Sequence, residues 1–237
     1  MSCTFTKGDC QVLIKQVPDK SVDCILMDPP FGTTRNYWDS KLNWNLLFEE
    51  FFRVLKPDGV LVIHCSVPFN YTLIREAPKP PSYSWYWTKE RPTNPLIAKS
   101  QPLRNTEEIL VWSNKKCRYY PQRFGTETRT FASYGGKSKA ATYYGSTTPQ
   151  PVQTVIGKYR THHLSFKRNI DKFSTRPDEL VELMIKSYTN EGDTILDPSC
   201  FHGMSGAIAK RLKRKWIGMD LYHLPTKLMT ESRSNES

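Results

Sequence analysis

The 237-residue chain contains no run of about 18 apolar residues, the length that crosses a bilayer as a helix, so no membrane span is expected. Its first residues, Met1-Ser2-Cys3-Thr4-Phe5-Thr6-Lys7, lack the apolar core of a secretion signal, which predicts an intracellular protein that is not secreted. Cysteine is sparse and scattered: Cys3, Cys10, Cys24, Cys65, Cys117 and Cys200 form no Cys-x-x-Cys pair. That spacing excludes a zinc ribbon and reads as reduced thiols. The histidines include one adjacent pair, His162-His163, but no His-Glu-x-x-His, so no metal is expected. Gly-x-Gly-x-x-Gly is also missing, which argues against a dinucleotide cofactor.

Acid is nearly missing from one stretch. Between Ser113 and Arg168, eleven basic residues face the single Glu127, a balance of +10 in a chain whose net charge is +11. The body is therefore almost neutral and one segment is strongly basic. That segment also holds Tyr119, Tyr120, Phe124, Phe131, Tyr134, Tyr143, Tyr144, Tyr159 and Phe166. Cations interleaved with aromatics suit phosphate neutralisation combined with base stacking, and they predict nucleic-acid binding. Lys115, Lys116, Arg118, Arg123, Arg129, Lys137 and Lys139 are the expected contacts. A solvated basic loop has the same charge, but not the aromatics. The segment shows no sustained periodicity and reads as a largely irregular insertion with room for a few short elements.

Outside it the pattern is α/β. The apolar run Val22-Asp23-Cys24-Ile25-Leu26-Met27 stops at Asp28-Pro29-Pro30-Phe31 and reads as a buried strand. Its carboxyl end offers a carboxylate, a prolyl carbonyl and a ring, which suit a planar, amino-bearing base. A plain Pro-Pro turn is the alternative reading. Trp44, Leu47, Phe48, Phe51 and Leu55 then fall on one helical stripe, which Pro57-Asp58-Gly59 is expected to end. Val60–Cys65, Ser84–Trp87 and Ile109–Trp112 are further strand candidates. Periodicity returns with a helix opened by Pro177. The strand Thr194–Asp197, the loop Pro198–Ser205, a helix from Gly206 to Lys213 and the strand Lys215–Asp220 follow. Asp220 lies 23 residues after Asp197. A strand, a tight loop, a helix and a strand ending in an acid can hold a nucleoside by its ribose hydroxyls. An ordinary βαβ unit has the same outline, and the segment by itself leaves both open.

These parts together resemble the DNA amino-methyltransferases in the circularly permuted β order, and most of all the phage- and virus-type adenine-N6 members. The resemblance is carried by Gly8-Asp9-Cys10, Ser21-Val22-Asp23, Asp28-Pro29-Pro30-Phe31-Gly32-Thr33-Thr34, Trp38-Asp39, Arg53-Val54-Leu55-Lys56-Pro57-Asp58-Gly59 and Lys89-Glu90-Arg91-Pro92-Thr93. Pro102-Leu103-Arg104, Glu108-Ile109-Leu110-Val111, Thr175-Arg176-Pro177, Thr189-Asn190-Glu191-Gly192-Asp193, Asp197-Pro198 and Ile217-Gly218-Met219-Asp220 continue it. It implies a Rossmann-like, seven-stranded methyltransferase sheet with a basic insertion. Residues 1–112 form the catalytic half, 113–170 the target-recognition insertion, 171–230 the cofactor-binding half and 231–237 a disordered tail.

The implied cofactor is S-adenosyl-L-methionine (SAM), and the implied substrate is adenine N6 in a specific duplex sequence, reached by flipping the base out. Asp28, Pro29, Pro30 and Phe31 take the catalytic places. Asp9, Cys10, Asp28, Thr175, Asp197, Pro198, Ser199, Phe201, Gly203 and Asp220 take the cofactor places. The implied partners are double-stranded DNA, a cognate restriction enzyme and, in a homodimer, a second copy. Cytosine-N4 methylation, an RNA substrate, and a catalytically silent DNA-binding relative are the alternatives. Two departures motivate the last: Phe201 stands where the family has glycine, and Lys172-Phe173-Ser174-Thr175-Arg176-Pro177 replaces the usual His-Pro-Thr-Gln-Lys-Pro.

Overall fold

The computed structural model describes residues 2–32, 34–93, 95–131, 153–167 and 176–226. Contact density divides the chain into two compact units. One runs to Tyr120 and resumes at His162; the other is Pro121–Thr161.

The larger unit is built on one sheet. Its strands are β1 (Cys3–Lys7), β2 (Val22–Met27), β3 (Leu55–Cys65), β4 (Tyr83–Thr93), β5 (Arg104–Ser113), β8 (His163–Ser165), β9 (Thr194–Asp197) and β10 (Lys215–Asp220). They lie in the order β1-β10-β9-β2-β3-β5-β4-β8. Neighbours are parallel except β5, which runs antiparallel to both β3 and β4. The expected seven strands are thus joined at one edge by a three-residue eighth.

Successive side chains of a strand point to opposite faces, and the core divides accordingly. Cys24 and Leu26 of β2, Val60 and Val62 of β3, and Ile109 and Val111 of β5 pack on one face. Ile25, Met27, Leu61, Ile63, Leu110 and Trp112 pack on the other. The first face is covered by α4 (Asp178–Tyr188) and α5 (Met204–Arg211). The second is covered by α1 (Cys10–Leu13), α2 (Trp44–Val54) and α3 (Phe69–Glu76). The fully buried run of β2 is therefore what a sheet covered on both sides requires. In α2 the Asn43 side chain accepts from the Leu46 N–H at 3.2 Å and starts the helix. Burial of Trp44, Leu47, Phe48, Phe51 and Val54 contributes on the order of 10 kcal/mol.

Two expectations change. Pro57-Asp58-Gly59 does not end the helix. The helix stops at Val54, and β3 runs on through these residues as a bulge: Val22 pairs with Leu55, but Cys24 pairs with Val60. The insertion, expected to be largely irregular with a few short elements, is more regular than that over its described residues. In the smaller unit β6 (Arg123–Phe131) pairs antiparallel with β7 (Gln153–Tyr159). No described helix is long and apolar enough to cross a membrane.

One carboxylate stands inside the apolar run of β2. Asp23 is 1% exposed and accepts from Lys56 Nζ at 2.7 and 2.8 Å, Arg118 Nη1 at 3.1 Å and the Thr194 N–H at 2.9 Å. Arg118 also meets Asp58 at 2.5 Å and Asp193 at 3.1 Å. Its charge is thus spent inside the fold, which corrects its expected place among the DNA-facing cations. Removing one partner from such a cluster strands the others in a dry setting. Asp23→Ala should lower the unfolding free energy by about 3 kcal/mol or more, read by urea denaturation.

Candidate active site

The chain turns in opposite directions from the centre of the sheet: β2 leads to β3 on one side, and β9 leads to β10 on the other. Ligands of such sheets bind beyond the carboxyl ends of the strands at that switch point. A cavity of about 520 Å³ opens there, within the usual range for small-molecule sites. The loops after β2 and β9 are tied together by the Ser199 hydroxyl, which donates to the Asp28 carbonyl at 2.9 Å.

Asp28, Pro29, Pro30 and Phe31 all line the cavity. Phe31 stacks one face on Phe69, with ring centroids 4.8 Å apart. The loop that follows is shaped by Asp39, whose carboxylate accepts from the Gly32 N–H at 2.7 Å and the Thr34 N–H at 2.6 Å. The Asp28 carboxylate is paired with Arg176. Arg176 also meets Glu107 at 3.1 Å and donates from Nε to His64 Nδ1 at 3.1 Å. Burial pulls His64 down to about 4, so it is neutral at pH 7, with its proton on Nε2. Burial also pulls the Arg176 guanidinium down to about 9, against the opposing charge of Asp197, and leaves it protonated at pH 7.

Of the other expected site residues, Asp9, Cys10, Asp197, Pro198, Ser199, Phe201 and Asp220 line the same cavity from the second side, and Gly203 does not. Asp9 caps α1 by accepting from the Gln11 N–H at 2.9 Å. Cys10 is buried beside it, and burial pushes its thiol up to about 12. Asp197 accepts from the Ser205 hydroxyl, which in turn accepts from Trp216 Nε1 at 3.1 Å. Burial pushes the Asp197 carboxyl up to about 7. The Trp216 ring lies across Gly218, where any side chain would meet it. Pro198, Ser199 and Phe201 complete this wall, and Gly203 starts α5 with φ at 76°.

Phe201 itself adopts φ 49°, the left-handed backbone that glycine occupies without cost. A phenylalanine pays about 1 kcal/mol there. Its ring packs edge-on against His202 and His223, at 4.0 and 4.2 Å. Its N–H donates to Asp220 at 2.9 Å. The Asp220 carboxylate also accepts from the N–H groups of Tyr222 at 2.9 Å and His223 at 2.7 Å, and it meets His223 Nδ1 at 3.1 Å.

Thr175, Lys137, Lys139 and the 231–237 tail lie outside the described residues. Lys115 and Lys116 are exposed just beyond β5. In the smaller unit Arg123 lies over the Tyr159 ring at 4.1 Å and Arg160 over Phe124 at 5.1 Å. Arg129 sits in β6, opposite Val155. Among the described residues, no three His, Cys, Asp or Glu side chains are grouped to hold a metal.

Sequence reasoning alone did not single out Arg176, Glu107 and His64. Their one visible signal was an arginine beside Pro177 where the family pattern has lysine.

Comparison with known proteins agrees with this geometry. The chain is 30% identical over 230 residues to the Type II methyltransferase M.BamHI of Bacillus amyloliquefaciens, an alignment covering 90% of this chain and 53% of that protein. The chain thus spans about half the length of M.BamHI. It is 28% identical to the DNA adenine methyltransferase YhdJ of Escherichia coli K12, covering 92% and 78% of the two chains. The crystal structure of an M1.HpyAVI–SAM complex shares the fold, with a TM-score of 0.62 at 18% identity over 99% of this chain and 100% of that one. Residues 22–227 match the N6_N4_Mtase family, described as DNA methylase. With its site at the switch point of a doubly covered sheet, the chain belongs to the DNA methylase family.

Proposed function

We propose that the protein transfers a methyl group from SAM to the N6 amino group of adenine in duplex DNA. The observation that carries this reading is Asp28-Pro29-Pro30-Phe31 at the mouth of the switch-point cavity. The adenine amine is a poor nucleophile because its lone pair is delocalised into the ring. The Asp28 carboxylate and the Pro29 carbonyl can accept its two hydrogens and hold it in the reactive orientation, with catalysis by placement and electrostatics. Phe31, backed by Phe69, offers its other face to the base. A base paired in a duplex cannot reach this cavity, so it must be swung out. The names of YhdJ and of the M1.HpyAVI–SAM complex support adenine and SAM respectively.

The donor set fits SAM. Asp9, Asp28, Asp39, Glu107, Asp197 and Asp220 line the cavity against the single guanidinium of Arg176, an acidic wall for a cofactor with sulfonium and ammonium charges. When bound, SAM supplies an electrophilic methyl group. Asp9 and Cys10 take the adenosyl end, Asp220 the ribose, and Asp197, Pro198, Ser199, Phe201 and Gly203 the methionine end, with Thr175 beside them. Asp220 Oδ1 meets the N–H groups of Tyr222 and His223 and the His223 ring, whereas Oδ2 accepts only from the Phe201 N–H and keeps a lone pair. A ribose hydroxyl can therefore donate to Oδ2 with the other contacts in place.

Double-stranded DNA is the partner in this reading. Residues 113–170 are its recognition insertion, between a catalytic half (1–112) and a cofactor half (171–230), in an intracellular enzyme. A cognate restriction enzyme and a homodimer are its further partners.

Three measurements check it. Incubated with SAM and unmethylated genomic DNA, the protein should yield N6-methyladenine by nucleoside mass spectrometry, and Asp28→Ala should abolish it. N4-methylcytosine would change the base and keep the grip; DNA binding without product would favour a silent relative. Below about pH 7 the Asp197 carboxyl is neutral and offers the cofactor ammonium no charge. SAM should therefore bind about tenfold tighter at pH 8 than at pH 6 by calorimetry, and Asp197→Asn should flatten that dependence. Replacing Lys115, Lys116 and Arg123 with Ala should weaken DNA binding and reduce its logarithmic salt slope by up to about 0.9 per cation removed.

A further inference from the structure

Charges alternate along a line crossing the carboxyl end of the sheet. Lys89 of β4 meets one oxygen of Glu107 of β5 at 2.5 Å. The other Glu107 oxygen takes Arg176 at 3.1 Å, and Arg176 in turn takes Asp28 beyond β2. His64 of β3 accepts from Arg176 Nε. The two inner members, Glu107 and Arg176, are held on both sides, and four neighbouring strands contribute. Lys89 is 9% exposed, Glu107 12% and Arg176 13%, whereas Asp28, at the open end, is 42% exposed.

We infer that Arg176 is the positioning residue of the active site: its guanidinium fixes the Asp28 carboxylate and keeps it ionised for the base amine, and the Lys89–Glu107 pair with His64 fixes the guanidinium. The inference rests on the reading of Asp28 as the amine acceptor. Three features make Arg176 suited to this task. A planar fork can hold Asp28, Glu107 and His64 at once, which a lysine ammonium at the end of a flexible stem cannot do with comparable geometry. Pairing at Oδ2 still leaves Asp28 Oδ1 to accept an N–H. The Asp28 carbonyl is independently anchored by Ser199, so backbone and carboxylate are fixed from different sides.

The titration of Asp28 reports the pairing directly. Of the groups that face it, Glu107, Asp197 and Asp39 are acidic, His64 is neutral, and Lys89 is separated from it by Glu107. Arg176 is then the cation that favours its ionised form. An opposite charge at contact lowers a carboxyl pKa by about 1–3 pH units. Loss of Arg176 should raise Asp28 by that amount.

The test combines carbon-13 carboxyl NMR of Asp28 in the cofactor-free protein with methyl-transfer kinetics. In R176Q the Asp28 titration should move up by about 1–3 pH units, the acid limb of kcat should move with it, and kcat at pH 8 should fall about a hundred-fold. R176K, which keeps the charge and loses the fork, should leave the Asp28 titration near wild type while kcat falls about tenfold. E107Q should likewise lower kcat with little change in the titration. R176K and E107Q also serve if R176Q does not fold. An Asp28 titration unmoved in R176Q, or a wild-type kcat in R176K, overturns the inference. Failure of the proposed function has a different signature: the wild-type protein would transfer no methyl group, while the NMR arm would still report the pairing.

Discussion

The site depends on the short parallel pairing of β2 with β9. Two register pairs join the strands, Cys24 with Ile195 and Ile25 with Leu196. Polar ties guard both ends of this seam. At the amino end the Asp23 carboxylate crosses to the Thr194 N–H; at the carboxyl end the Ser199 hydroxyl crosses to the Asp28 carbonyl. On one side of the seam the chain runs to β3 and β5, which bring His64 and Glu107. On the other it runs to β10, which brings Asp220. A cavity lined from both sides exists only where the two directions meet. The seam therefore sets the spacing between the proposed base grip and the proposed cofactor wall.

Both ends of that seam use charge in settings where charge is expensive. At the amino end Asp23 and Arg118 are sheltered, and the cluster closes because two acids and two bases share it with Asp193 and a backbone N–H. At the carboxyl end the Lys89–Glu107–Arg176–Asp28 line alternates in sign, so no member is desolvated alone. Ion pairs of this kind add little net stability compared with apolar packing. What they fix is geometry, and a reaction that relies on orientation gains more from fixed geometry than from extra stability.

Elements with a strong period were legible in the sequence. The strands Val22–Met27, Thr194–Asp197 and Lys215–Asp220 lie where the pattern put them, because each buries a face against a known geometry. The helices come close: Leu55 of the α2 stripe falls in β3, and the last helix runs Met204–Arg211 instead of from Gly206 to Lys213. The Asp-Pro-Pro-Phe end of β2 also pointed to the cavity. The strands β6 and β7 were not legible. Arg123–Phe131 alternates charged and small residues and carries Gly125, so it presents no apolar face for a pattern to reveal. The β3 bulge was misread because Pro57 and Gly59 are usual helix terminators, and only the pairing with β2 shows that the strand has already begun. Arg118 was misread because Asp58, Asp23 and Asp193 lie 60, 95 and 75 residues away. The Arg176 network was invisible for the same reason. Charge patterns in one dimension do not show which charges meet in three.

The edge strand β1 pairs with β10 along its whole length, Cys3 with Trp216 through Lys7 with Asp220. The partners stand more than 200 residues apart in the chain. Pairings of that separation form late, because a long loop must close before they contribute anything. During synthesis the segment bearing Asp28 leaves the ribosome first and waits for nearly the whole chain before the opposite wall can form. A growing polypeptide would carry Asp28-Pro29-Pro30-Phe31 but only one wall of the cavity. The order of the strands along the chain thus ties closure of the cavity to synthesis of the residues through Asp220.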